Sequence, residues 1–232
     1  MIMVLFVGFN AYAQNPKTTP TRVTDKTIVK GEDGTQYTYA IWSKLMQTGQ
    51  YSLRPAQGEE FVLFRLTPEQ AEKNIERQKN AILNMPRPRA SDVFVEGEKF
   101  RVDKFTSLNK VKLDLKTITN KIYVFNFWFI NCEPCKKEIP ELNELVKEYK
   151  DNNDVVFIAV ALDAAGDLKD FLKTMPFDYH IVPDGRYYTQ KYGVTSYPTH
   201  VIVGKDGIIK FSTVGLAPNT LTWIKKTLKE QL

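Results

Sequence analysis

The sequence predicts an α/β domain, a sheet layered with helices, preceded by a small α+β extension. Three observations predict it. Two nearly continuous apolar runs, residues 121–130 (KIYVFNFWFI) and 155–162 (VVFIAVAL), read as strands buried on both faces. Between them, residues 133–150 carry Ile139, Leu142, Leu145, Val146 and Tyr149 on one helical face. Near the end, the turn Gly204-Lys-Asp-Gly207 separates two short apolar segments, 200–203 and 208–212, as in a hairpin.

Taken in order, the chain falls into three parts. Residues 1–9 (MIMVLFVGF) are apolar, and Ala11-Tyr12-Ala13 places small residues at the positions a signal peptidase reads. Residues 1–13 are therefore expected to be a secretory signal cut after Ala13, although no Lys or Arg precedes the apolar run. The alternative is a buried strand at the start of a cytosolic protein. The run falls short of the roughly 20 apolar residues that span a membrane. No Cys stands at the cut, so lipid anchoring there is not indicated.

Residues 14–95 are read as an extension of unassigned role. Gly31-Glu-Asp-Gly34 signals a turn, and Tyr37, Tyr39 and Ile41 alternate after it as in a strand. Residues 61–66 (FVLFRL) suggest another strand. Thr67-Pro-Glu-Gln70 has an N-cap, a first-turn proline and a closing Gln, predicting a helix to about Leu83. Met85-Pro-Arg-Pro-Arg89 reads as an extended linker. Residues 96–232 hold the α/β unit, which adds a short helix over 168–175, a strand over 179–182 and a terminal helix over 218–230.

Composition limits the function classes. The chain of 232 residues is 43% hydrophobic and 25% charged, ordinary for a globular protein. Its 32 Lys and Arg against 27 Asp and Glu give a net charge of +5, scattered among acids with no long basic run. That pattern is a solvated surface and argues against a nucleic-acid partner.

The chain has 2 cysteines, Cys132 and Cys135, in the motif Cys-Glu-Pro-Cys. As a structural staple such a small loop would contribute only about 2 kcal/mol, less than longer loops give. A zinc site needs two further ligands, and the 2 histidines, His180 and His200, do not have ligand spacing. His200 reads as a packed or surface residue of a strand. No metal or other cofactor is therefore expected beyond the redox-active Cys132–Cys135 pair. Peroxidase chemistry at one activated Cys is the weaker reading, because paired spacing suits dithiol exchange. Cys132 follows the strand and Cys135 falls in the first helical turn, where free N–H groups and the helix dipole stabilise a thiolate. Cys132 is the expected nucleophile and Cys135 the resolving thiol. The Glu133 carboxylate repels a thiolate and works against extreme acidity.

The segment Asn126-Phe-Trp-Phe-Ile-Asn-Cys132-Glu-Pro-Cys135-Lys-Lys-Glu138-Ile-Pro140 resembles the active-site strand and helix of the thioredoxin superfamily. It is most similar to the TlpA/ResA-like branch of exported thiol–disulfide oxidoreductases. The resemblance covers about residues 96–232 and implies a thioredoxin fold, a central mixed sheet flanked by helices. Pro140 stands where that family kinks its active-site helix. Tyr192-Gly-Val-Thr-Ser-Tyr-Pro198-Thr-His resembles the loop whose cis-proline faces the cysteines, which assigns that role to Pro198. Asn126 replaces the buried Asp of cytosolic members, as is usual in this branch. Glu138 matches a cavity Glu and is implied as the acid–base group, against the plainer reading of an exposed helix carboxylate. Two departures stand out: Asn131 replaces the Trp usual before the first Cys, and Tyr197 before Pro198 is bulkier than the usual Thr or Val. The backbone at Tyr197 and Pro198 is where relatives pair with a substrate peptide.

The resemblance implies net reduction of disulfides in envelope proteins, apocytochrome c among the candidates, with a membrane thiol carrier as electron donor. The rival expectations are an oxidase or isomerase using the same site and a non-enzymatic binding module.

Overall fold

The computed structural model describes residues 23–56, 60–116 and 120–232. The expected signal, its cut after Ala13 and the polar stretch to residue 22 lie outside the described residues. The chain divides into two units, Met1–Lys79 and Asn80–Leu232. The division falls inside a helix, ahead of the break near residue 95 that composition suggests.

The first unit contains β1 (Val29–Gly31), β2 (Gln36–Tyr37), α1 (Tyr39–Gln47), β3 (Tyr51–Pro55), β4 (Phe61–Arg65) and most of α2 (Pro68–Leu83). Its four-stranded sheet runs β2-β1-β4-β3, with β1 and β4 parallel and the outer pairs antiparallel. Val29, Trp42, Phe61 and Leu63 form a small core. The turn at residues 31–34 forms as expected, with Gly34 at φ 82° and its N–H donating to the Gly31 carbonyl. Thr35 donates from both its N–H and its hydroxyl to Asp33, which lowers the Asp33 pKa.

The strand expected through Tyr37, Tyr39 and Ile41 stops at Tyr37, the end of β2, and a helix begins at Tyr39 instead. Tyr39 and Ile41 are exposed, while Trp42 is buried and Leu45 and Met46 pack beside it. That spacing of three and four is helical, and an alternation only three residues long had masked it. The start of α2 conforms to the sequence. Thr67 N–H donates to Gln70 Oε1 at 3.1 Å, and Gln70 N–H donates to Thr67 Oγ1 at 3.3 Å, a reciprocal capping box.

The second unit holds β5 (Lys104–Thr106), β6 (Lys112–Asp114), β7 (Ile122–Trp128), α3 (Glu133–Glu148), β8 (Val155–Ala161), α4 (Ala165–Thr174), β9 (His180–Val182), α5 (Arg186–Tyr192), β10 (Thr199–Val203), β11 (Ile209–Val214) and α6 (Thr220–Gln231). Its five-stranded sheet runs β11-β10-β7-β8-β9. Strands β7, β8 and β9 are parallel, and β10 and β11 are antiparallel additions. Every residue of β7 is buried. One face of the sheet packs Ile122, Val124 and Trp128 against Ile139, Leu142 and Leu145 of α3 and Ile224 and Leu228 of α6. The other packs Tyr123, Phe125 and Phe127 with Phe94, Phe100, Phe105 and Tyr192.

The segment after α2 belongs to this unit because β11 would otherwise be a bare edge. Val214 N–H donates to the Arg89 carbonyl, Gly97 N–H to Ile209, Ile209 N–H to Glu98, and Phe100 N–H to Gly207. Ser212 Oγ donates to the Phe94 carbonyl at 2.7 Å. Arg87 of the proline-rich linker lies over the rings of Phe211 and Trp223 and pairs with Glu96. Helix α5, which the sequence did not suggest, is held by two phenols: Tyr188 donates to the Lys104 carbonyl and Tyr192 to that of Arg101. It ends at Gly193, whose φ of 77° suits a residue without Cβ.

Two substitutions test this packing in urea unfolding. Phe127→Ala should cost about 3–5 kcal/mol, because it empties a fully buried site. Ile41→Ala, on the exposed face of α1, should change stability by no more than about 0.5 kcal/mol.

Candidate active site

The site grows from the end of β7. Past Trp128 the chain turns through Phe129, Ile130 and Asn131 before α3 begins. Ile130 N–H donates to Asp163 Oδ2 at 2.8 Å, and Cys132 N–H donates to the Phe129 carbonyl. Asp163 follows the end of β8, so neighbouring strands fix the turn that presents Cys132. The sequence carries no local signal for that use of Asp163.

Cys132 is the N-cap of α3, with Pro134 in the first turn. Cys135 N–H donates to Cys132 Sγ at 3.3 Å, so the sulfur takes a hydrogen bond that a helix start would otherwise leave unmade. The two cysteines are joined as a disulfide, with Cα atoms 5.2 Å apart. Both are buried, Cys132 at 4% exposed and Cys135 at 1%. Helix α3 runs through Pro140, which has no N–H to offer the Lys136 carbonyl.

Charge near Cys132 is partly balanced. Glu133 and Lys136 pair at 2.9 Å, and that hydrogen bond holds the Glu133 carboxyl below its ordinary range. Glu133 thus stays ionised beside the sulfur, and the Lys136 ammonium offsets its repulsion.

The loop before β10 adjoins the same strand end. The register sets Thr199 opposite Phe127, which brings Pro198 level with Trp128 at the strand end leading to Cys132. The Tyr197–Pro198 peptide bond is cis, and Pro198 is buried. Gly215 N–H donates to the Pro198 carbonyl at 2.8 Å, and Thr199 Oγ1 donates to the Ser196 carbonyl at 2.7 Å. The half-buried Tyr197 ring sits edge-on to Phe129, with centroids 5.3 Å apart. Its bulk is thereby folded against the turn ahead of Cys132.

Beneath the disulfide lies a buried polar group in an apolar layer. Glu138, one turn beyond Cys135, is 7% exposed, so the plainer reading of a solvated helix carboxylate does not hold. Asn126 Nδ2 donates to Glu138 Oε1 at 2.9 Å, and His200 Nε2 lies 2.9 Å from the same oxygen. His200 is fully buried, directly across from Asn126 in the β10–β7 ladder. The sequence leaves His200 as a packed or surface residue of a strand and gives no sign of its acidic partner; the structure buries it against Glu138. A single His in a β-branched run carries no local sign of a contact made across the fold.

A model of the AhpC/TSA family matches residues 97–212. The thiol-disulfide oxidoreductase ResA of Bacillus thuringiensis (strain Al Hakam) is 30% identical over 129 residues, covering 53% of this chain and 75% of that protein. The thioredoxin-like protein YneN of Bacillus subtilis (strain 168) is 30% identical over 139 residues, covering 59% of this chain and 78% of that protein. Among solved structures, a putative thiol:disulfide interchange protein DsbE from Chlorobium tepidum aligns with a TM-score of 0.54 at 22% identity, over 60% of this chain and 98% of its own. A putative protein disulfide isomerase from Bacteroides thetaiotaomicron aligns with a TM-score of 0.55 at 19% identity, over 62% and 94%. The two structures share the fold with this chain, which is the thioredoxin fold expected from the sequence.

Charge substitution checks the electrostatics at Cys132 in the fully reduced protein. Lys136→Gln should move the pH profile of Cys132 alkylation by iodoacetamide to higher pH, and Glu133→Gln to lower pH. Because both groups are exposed, each rate should change by only about two- to threefold, and less at high salt.

Proposed function

Because the chain belongs to the AhpC/TSA family and closes its two cysteines into a disulfide at the head of α3, we propose that it is an exported thiol–disulfide oxidoreductase that reduces disulfides in envelope proteins. The observation that carries this reading is the Cys132–Cys135 bond at a helix N-terminus, beyond the strand end that the cis Pro198 adjoins. Relatives named thiol-disulfide oxidoreductase support the reaction class.

The reaction runs in two exchanges. In the reduced protein the Cys132 thiolate attacks a substrate disulfide, forms a mixed disulfide and expels the first substrate sulfur as thiolate. Cys135 then loses its proton and attacks Cys132 Sγ. The Cys132–substrate bond breaks, the second substrate sulfur leaves as thiolate, and the protein holds the disulfide seen here. Two electrons pass from the cysteine pair to the substrate. The backbone at Tyr197 and Pro198 is the proposed docking point for the substrate peptide. A membrane thiol carrier would return the electrons, and apocytochrome c is one envelope substrate that fits the reading. Export rests on the apolar leader and Ala13.

The reduction potential of the pair decides direction. A value near about −250 mV or lower, approaching thioredoxin's roughly −270 mV, supports a reductase, whereas about −120 mV would make the protein a disulfide donor. Cys132→Ser should abolish exchange, and Cys135→Ser should trap a mixed disulfide with substrate, both read by non-reducing electrophoresis. Retained turnover in Cys132→Ser would remove the reading.

A further inference from the structure

The two oxygens of Glu138 are unequal. Oε1 faces two donors, Asn126 Nδ2 and His200 Nε2, each at 2.9 Å. Oε2 is buried and has no hydrogen-bond partner among the described residues. A buried acceptor left unmatched is costly, and it is the oxygen of the pair still open to a proton. Cys135 and Glu138 stand one turn apart on α3, both buried.

Packing alone does not call for this arrangement. On the same sheet face β7 contributes Ile122, Val124 and Trp128, and β10 contributes Ile202. Asn126 and His200 interrupt that apolar layer side by side. With Nε2–H donated to Glu138, the neutral imidazole leaves Nδ1 as an acceptor. Asn126 Nδ2 lies 3.3 Å from each ring nitrogen. This tautomer, inferred from the network, satisfies the ring and gives Oε1 two donors.

We propose that His200 is a positioning residue for the exchange reaction: with Asn126 it holds Glu138 by Oε1 so that Oε2 receives the Cys135 proton. The inference rests on the reading of Cys132 and Cys135 as a dithiol-exchange site. As the mixed disulfide resolves, the Cys135 S–H bond breaks and its proton passes to Glu138 Oε2. The Cys135 sulfur bonds to Cys132 Sγ, and the substrate sulfur leaves with the electron pair. The proton on Oε2 is then released as the site opens to solvent or a leaving thiolate.

Among the described residues, the other buried titratable groups on this face are the two cysteines, Tyr149 and Tyr179. Burial first, and then the Glu138 charge, hold the Tyr179 phenol well above its ordinary range. Burial, and then Glu148, raise that of Tyr149. Both phenols therefore stay protonated where thiol exchange operates. From β11, Thr213 stands opposite His200 and donates its hydroxyl to the Arg89 carbonyl. The residues α6 buries, Thr220, Ile224, Thr227 and Leu228, carry no charge.

The test uses the reduced full chain and the aryl disulfide DTNB, which releases one coloured thiolate when Cys132 attacks and a second when Cys135 resolves. Both releases are followed by stopped flow from about pH 5 to about pH 9 in the wild type, Glu138→Gln, His200→Gln, His200→Asn and the Glu138→Gln/His200→Gln double variant. The ratio of second to first release should fall about 100-fold in Glu138→Gln and about tenfold in His200→Gln. In His200→Gln the rising limb of the second release should move to higher pH, because the carboxylate has lost its imidazole donor. The double variant should be no slower than Glu138→Gln alone. His200→Asn gives a second reading of the same site should one substitution disturb folding, monitored by circular dichroism. Wild-type ratio and profile in a folded His200 variant would overturn the inference, as would a double variant slowed by the product of the two single effects. A wild type that releases neither thiolate would instead remove the dithiol-exchange reading itself.

Discussion

The second unit depends on the complete burial of β7. A strand with no exposed residue must satisfy every backbone group through its neighbours and every side chain through packing. Parallel β8 on one side and antiparallel β10 on the other meet the first demand. The helices α3 and α6, opposite a stacked aromatic layer, meet the second. A strand held so firmly delivers its last residue to a fixed point, and the turn carrying Cys132 starts there.

The same constraint explains the cost of the polar group under the disulfide. Asn126, Glu138 and His200 come from three elements and meet within hydrogen-bond distance beside a largely apolar layer. Placing a carboxylate there is unfavourable unless its oxygens are matched, and only one is fully matched. Locally ideal packing has yielded here to a buried polar group.

Much of the second unit was legible in the sequence because its signals are long. The apolar runs of β7 and β8, the periodic face of α3 and the Gly204–Gly207 turn each span enough residues to fix element type. Short or crowded signals failed. The alternation at Tyr37, Tyr39 and Ile41 hid the start of α1, and the tyrosine-rich α5 lacks a clear apolar stripe. At the site, Cys132, Cys135, Glu138 and Pro198 could be named from spacing and resemblance, since they cluster within two motifs. His200 and Asp163 could not be given partners, because their partners arrive from other strands and helices.

The stretch from Arg89 to Phe100 has a practical consequence. By composition the extension reaches residue 95, yet this stretch's backbone lies along β11 and its Phe94 and Phe100 stack with Phe127 and Phe125. Trimming the chain at residue 96 to isolate the catalytic half would leave an open strand flank beside a hollowed aromatic layer, a surface prone to aggregation. A soluble minimal domain must therefore begin ahead of Arg89.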